Sequence, residues 1–170
     1  MRQRLQGKVA VITGAASGIG EAAVELFVDQ GCQVLAADKN EAAGAALADR
    51  LGPAVHFMPC DVTDCAQLKA AIDGAAAHFG GLDILFSNAG AGGTAAGVEA
   101  FDPASWDHTQ ALLLRSVAAG AAYAVPHMRQ RGGGSIVNTS SVSALQAGYA
   151  PLCYSVAKAG VLHYTRVAAA

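Results

Sequence analysis

Short apolar runs alternate along the chain with longer stretches in which alanine, polar and aliphatic residues mix. Val9-Ala10-Val11-Ile12 and Gln33-Val34-Leu35-Ala36-Ala37 carry no polar interval of period two, as expected of strands covered on both faces. Glu21-Ala22-Ala23-Val24-Glu25-Leu26-Phe27 is made of good helix formers. The whole pattern predicts strands near 8–13, 33–37, 54–60, 82–86 and 134–140. It predicts helices near 18–30, 41–51, 64–79, 103–130 and from 152 to the end. Such alternation implies right-handed βαβ units. The expected fold class is therefore α/β, a doubly wound parallel sheet in three layers, forming one domain over residues 1–170. Gly132-Gly133-Gly134 reads as the break between a helix and the last strand, and 90–97 as the loosest loop. That loop follows the carboxyl end of a strand, so it is either a mobile rim of a ligand site or a plain solvent loop.

Where the first strand meets the first helix stands Thr13-Gly14-Ala15-Ala16-Ser17-Gly18-Ile19-Gly20. Glycines at such a junction let bare backbone approach a pyrophosphate at a helix N-terminus. The spacing is Gly-x-x-x-Gly-x-Gly, and the alternative is an ordinary glycine-rich turn. The second strand ends at Asp38, about 20 residues past the glycines, where an acid suits ribose hydroxyls and repels a 2′-phosphate. This favours NAD, with NADP less favoured, although Lys39 offers a cation beside the ribose. Asp38 is equally suited to cap the next helix. Farther on, Tyr154 and Lys158 are four residues apart and thirteen past Ser141. One helical turn places the pair on one face, and a phenol beside an ammonium ionises more readily. Such a phenol can exchange protons with an alcohol or ketone; the alternative is a tyrosine that only packs its helix.

Composition narrows the function classes. Apolar residues make up 53% and charged ones 14%, which fits a sheet buried on both sides. The net charge of −2 argues against a nucleic-acid partner. No run of 18 uncharged apolar residues predicts a membrane span, and residues 1–7 lack the apolar segment of a signal peptide. The expected location is cytoplasmic. Cys32, Cys60, Cys65 and Cys153 show no metal or redox spacing, and His56, His78, His108, His127 and His163 are scattered, so no metal is assigned. Cys32 and Cys60 read as core residues. Cys153 precedes Tyr154 and is either inert or a place where an oxidant would block the site.

With these motifs in order, the chain resembles the short-chain dehydrogenase/reductase family from end to end. Gly14, Ser17, Gly18, Ile19 and Gly20 fall in its cofactor glycine motif. Asp61-Val62 resembles its adenine-contacting pair, and Asn88-Ala89-Gly90 its motif after the fourth strand, with Ser87 where a second Asn is common. Ser141, Tyr154 and Lys158 fall on its catalytic Ser, Tyr and Lys. The resemblance implies a Rossmann-like fold and an NAD(P)-dependent oxidoreductase that interconverts a small secondary alcohol and its ketone. Tyr154 would be the acid/base, Lys158 would lower its pKa and bind the nicotinamide ribose, and Ser141 would donate to the substrate oxygen. Asn88 would tie the strand end together. A homo-oligomer, dimer or tetramer, is also implied, through helix faces bearing Ala118, Ala119, Ala121 and Ala122, and Val161, Leu162 and Val167. Burial of those faces within one chain is the alternative.

Two departures from the family stand out. Its fourth catalytic residue, an Asn, aligns with Leu113, which has no side-chain donor or acceptor. The chain also stops at Ala170, inside the helix of Tyr154 and Lys158, without the family's usual last strands. It is either a fragment or a natural short form. If Ala170 is the last residue, the strand near 134–140 becomes an unprotected edge, and aggregation or pairing between chains is expected. The rival reading from another class is a non-catalytic nucleotide-binding or interaction module, favoured by Leu113 and opposed by the intact Ser141, Tyr154 and Lys158.

Overall fold

The structure, a computed structural model, describes residues 3–93 and 97–170. Five strands form one parallel sheet in the order β3-β2-β1-β4-β5: β1 Val9–Thr13, β2 Gln33–Asp38, β3 Val55–Pro59, β4 Ile84–Ser87 and β5 Ser135–Asn138. The helices are α1 Gly18–Asp29, α2 Glu41–Leu51, α3 Cys65–Phe79, α4 Pro103–Gln110, α5 Ser116–Gln130 and α6 Leu152–Ala168. The sheet grows outward in one direction from β1 to β2 and β3, and in the other to β4 and β5. Strand order therefore reverses between β1 and β4, and a crevice opens there at the carboxyl ends. The Rossmann-like doubly wound arrangement expected from the sequence is the one observed.

Every side chain of β1 is buried, because the sheet is covered on both faces. On one face Val11, Leu35 and Leu85 meet Leu68 and Ile72 of α3 and Ala124 of α5. On the other, Ile12, Val34 and Ala36 meet Val24 of α1 and Leu47 of α2. Three helices begin on an acceptor side chain that their sequence supplies: Asn40 accepts from Ala43 N–H, Asp64 from Ala66 and Gln67, and Asp102 from Ser105. The N-cap of α2 is thus Asn40, not Asp38. Asp38 instead accepts from Asn40 N–H and Ala16 N–H, tying the end of β2 to the glycine loop.

The helix expected over 103–130 is not continuous α-helix. Ala111–Arg115 forms a π turn, closed by the bond from Ser116 N–H to the Ala111 carbonyl. Periodicity gives no sign of it, since Ala111-Leu112-Leu113-Leu114 is apolar throughout and masks the shift in which residues share a face. Helix α6 packs on this turn and on α4. Ala121 and Val161, read as interface positions, are buried within the chain itself, whereas Ala122 and Val167 face solvent. Among the described residues no helix is long and apolar enough to cross a membrane.

Candidate active site

The glycine loop is held by its neighbours. Thr13 Oγ1 accepts from the Asn88 and Ala89 backbone N–H groups, and Asn88 Nδ2 donates to the Thr13 and Gly14 carbonyls. Asn88 thereby locks the ends of β1 and β4 together. Gly14 has φ +65°, and a Cβ there would stand 2.8 Å from Ala89 Cα, so no other residue lets the two loops approach so closely. At Gly20 an added Cβ would fall 1.9 Å from the Gly14 carbonyl oxygen. Sequence reasoning had not singled out Thr13 in this role, although it opens the glycine motif.

A cleft of about 390 Å³ runs from this loop along the carboxyl ends of the strands. Ser17, Gly18 and Ile19 form one end, Asp38 and Lys39 the rim, and Asp61 and Val62 the far wall. Asn88, Ala89 and Gly90 form its floor toward β4. The residues fit a dinucleotide. Ser17 makes no side-chain cap to α1, so its hydroxyl is available, and nothing lies within 4 Å of a Cβ placed on Gly18. The Asp61 carboxyl is held below the usual range by the Thr63 N–H and hydroxyl, which fixes its charge at the cleft wall. His108 and Leu112, from α4 and the π turn, also line the cleft, a placement with no motif to signal it. Arg115 donates to the Thr63 carbonyl at 2.7 Å and anchors that wall to the π turn.

A second cleft of about 520 Å³ continues from the first, sharing Ile19, Asn88, Gly90 and Ala91 with it. Ser141, Tyr154 and Lys158 all line it. Ser141 stands after β5 and accepts from the Ser143 N–H, with the Ser143 hydroxyl donating to its oxygen at 3.0 Å. That leaves the Ser141 hydrogen free to point outward. Tyr154 and Lys158 share one face of α6, with Nζ 5.8 Å from the phenol ring centroid. Lys158 is 4% exposed, donates to the Thr139 carbonyl at 2.7 Å, and is pushed below the usual ammonium range by burial. The sequence gave no reason to expect Thr139 as its anchor. Of the loop 90–97, Gly90, Ala91 and Gly92 line this cleft, while Thr94, Ala95 and Ala96 lie outside the described residues.

Leu113 is 1% exposed on the π turn. Its Cδ2 and the Lys158 ammonium lie 3.1 and 3.9 Å from the point where a Gly90 Cβ would stand. Leu113 and Lys158 thus both border the Gly90 backbone. Cys153 is buried and its Sγ lies 3.7 Å from Thr109 Oγ1, turned toward α4. Burial raises the Cys32 and Cys60 thiols to about 12 and about 11, in keeping with core residues. Among the described residues no group of three metal-ligating side chains occurs.

The family model described as short chain dehydrogenase matches residues 8–170. The sex determination protein tasselseed-2 of Zea mays is 41% identical over an alignment of 174 positions that covers 99% of this chain and 52% of that protein. D-threitol dehydrogenase of Mycolicibacterium smegmatis is 39% identical over 98% of this chain and 65% of its own length. A short chain dehydrogenase/reductase of Burkholderia phymatum, solved in complex with NAD, superposes with a TM-score of 0.90 at 33% identity. The superposition covers 96% of this chain and 59% of that one. The chain thus spans between half and two thirds of the length of these relatives.

Proposed function

We propose, from the premise that this chain belongs to the short-chain dehydrogenase/reductase family, that it is an oxidoreductase interconverting a secondary alcohol and its ketone with NAD. One observation carries the reading: Ser141, Tyr154 and Lys158 converge on a cleft that is continuous with the glycine-loop cleft. A structural role alone would not require all three to face the same space.

The nicotinamide dinucleotide, when bound, supplies the hydride acceptor in oxidation and the donor in reduction. Ser17 to Gly20 would hold its pyrophosphate at the N-terminus of α1, Asp38 its adenosine ribose, and Asp61 and Val62 its adenine. Asp38 still offers lone pairs beyond its two backbone partners, and its carboxylate disfavours a 2′-phosphate, hence NAD over NADP. In oxidation the phenolic oxygen of Tyr154 takes the substrate O–H proton, and in reduction it returns one. The Lys158 ammonium stands 5.8 Å from the Tyr154 ring centroid and would hold the nicotinamide ribose. Ser141 donates to the substrate oxygen where charge develops.

A second reading, a nucleotide-binding module without chemistry, draws on Leu113. Leu113 is an apolar side chain with no donor or acceptor, buried on the π turn beside Gly90. Titration with NADH and NADPH, combined with assays of wild type and Tyr154→Phe, separates the two. Tighter NADH binding, with turnover falling by about a hundredfold or more in the variant while NADH binding persists, is expected. Undiminished turnover by Tyr154→Phe would remove Tyr154 from the mechanism. NADH binding without any turnover by wild type would favour the module. We also propose that the chain works as a homo-oligomer, supported by the exposed Val167 and Ala122 on the outer faces of α6 and α5.

A further inference from the structure

Four hydroxyl side chains stand within five residues, Thr139-Ser140-Ser141-Val142-Ser143, and the three serines are put to different uses. Ser140 Oγ donates to the Lys158 carbonyl at 2.9 Å, and Lys158 Nζ donates to the Thr139 carbonyl at 2.7 Å. These two bonds tie the backbone after β5 to α6, and so fix the place of Ser141 in the cleft that Tyr154 also lines. They do not fix the direction of its hydroxyl. A 3-10 turn over Val142–Ala144, capped by Ser141 itself, brings residue 143 back over it. The Ser143 N–H and hydroxyl then both donate to Ser141 Oγ, at 3.2 and 3.0 Å. Helix α6 packs against this turn, and Ser143 is 6% exposed while its apolar neighbours Val142 and Leu145 face solvent. A polar side chain is thus turned inward where two apolar ones are turned out. Its buried hydrogen needs an acceptor, and Ser141 Oγ is the one it reaches among the described residues.

We propose that Ser143 is a positioning residue: it fills both acceptor positions of the Ser141 hydroxyl and so makes Ser141 a donor only. This deepens the hydride-transfer reading above and rests on it. A serine hydroxyl has one hydrogen and two lone pairs. With both lone pairs engaged by residue 143, the hydrogen is what Ser141 has left to offer the cleft. A ketone oxygen, or the oxygen on which charge develops, accepts it. In oxidation the alcohol oxygen accepts from Ser141 while its own proton goes to Tyr154, so the two protein groups do not compete for that proton. Without the Ser143 hydroxyl one lone pair is freed, and the Ser141 hydrogen must be turned toward the substrate oxygen in each turnover. A donor aimed beforehand carries no such reorganisation cost. Folding depends little on the contact, because Ser141 lines a cleft open to water and its freed lone pair would be hydrated.

The test follows oxidation of propan-2-ol, cyclohexanol and butane-2,3-diol with NAD, and NADH binding on the same samples. The proteins are wild type, Ser143→Ala, Ser143→Thr, Ser141→Ala and the double variant Ser141→Ala with Ser143→Ala. On the alcohol that wild type turns over fastest, Ser143→Ala is expected to lower kcat roughly fivefold, as loss of one hydrogen bond would. KM and NADH affinity should stay nearly unchanged, because the contact matters only where charge develops. Ser143→Thr keeps the hydroxyl and should recover most of the loss. In the Ser141→Ala background, Ser143→Ala should change the residual rate by less than about twofold, since it acts through Ser141. An equal loss in both backgrounds, no loss in Ser143→Ala, or no recovery in Ser143→Thr overturns the positioning role and leaves hydride transfer intact. Bound NADH with no turnover of any of the three alcohols by wild type overturns the hydride-transfer reading, and the role of Ser143 with it.

Discussion

Lys158 carries a charge where burial opposes it. One hydrogen bond to the Thr139 carbonyl holds it, and it borders Gly90 as the buried Leu113 does. Burial lowers its pKa, so at neutral pH the charged form lowers folding stability, and that loss is relieved as pH rises through the folded value toward the unfolded one. Leu113→Asn sets an amide beside Gly90, whose backbone Lys158 also borders, and the prediction is that this amide reaches the ammonium. The pKa of Lys158 is then expected to rise toward its ordinary value. Under the proposed mechanism, the alkaline limb of kcat should move to higher pH and kcat should increase roughly tenfold. Leu113→Ala, which removes bulk without adding an acceptor, should leave the limb in place. A pH–rate profile of a folded Leu113→Asn protein that matches wild type would show that Leu113 does not restrain catalysis. Most of the residues that matter at this scale were legible in the chain: the glycines, Asp38, Tyr154 and Lys158 stand in motifs of fixed spacing. Thr13, Thr139 and Ser143 were not, because what they contribute is a hydroxyl or carbonyl whose direction only the fold determines.

Elements are joined below the site by a carboxylate that no motif announced. Asp83, just before β4, accepts from the Val9 N–H of β1, from Arg131 at the end of α5, and from Lys8. Its backbone also continues the ladder to Val9 and Ser135. Burial pushes the Asp83 carboxyl up, but the Arg131 and Val9 hydrogen bonds and the two cations outweigh it, and the net shift is downward. A depressed carboxyl contributes stability that is present above the unfolded value, about 3.9, and is lost as pH falls through the folded one. Asp83→Asn is expected to destabilise by about 2 kcal/mol at neutral pH, chiefly by weakening these bonds. The difference from wild type should shrink as pH falls below about 4. Urea unfolding of both proteins across that range checks it, and a gap independent of pH would show that Asp83 acts by packing alone. The π turn at Ala111–Arg115 belongs to this scale too. It moves Leu112 to the cleft and Leu113 to the core, and it was illegible because a bulge shifts which residues share a face without altering their types.

For the whole molecule, alternation of strand and helix sufficed to anticipate five parallel strands covered on both faces, whereas the reversal between β1 and β4 emerges only from the strand order of the fold. Strand boundaries matched within two residues because buried strands are marked by what they exclude. The outer surface was harder to read. An alanine face such as 118–122 suits either a partner chain or the chain's own core, and the structure divides it, Ala121 inward and Ala122 outward. Within residues 1–170 the sheet has two edges, β3 and β5, and the second carries the more exposed β-branched side chain. Among the described residues this strand pairs only with β4, and Val137 upon it is 47% exposed. Unpaired backbone groups beside an exposed β-branched residue are a template for another strand. A polypeptide of residues 1–170 alone is therefore expected to self-associate, with the weight-average mass in sedimentation or light scattering rising with concentration. Val137→Lys sets a charge on that edge and should shift the association to at least about tenfold higher concentration, since like charges from two copies would meet there. A shift of that size with unchanged NADH binding would locate the contact at β5. Association that ignores the substitution would move it to the exposed side of α5 and α6, where Ala122 and Val167 lie, and a single mass at all concentrations would mean that the edge of β5 stays unpaired in solution.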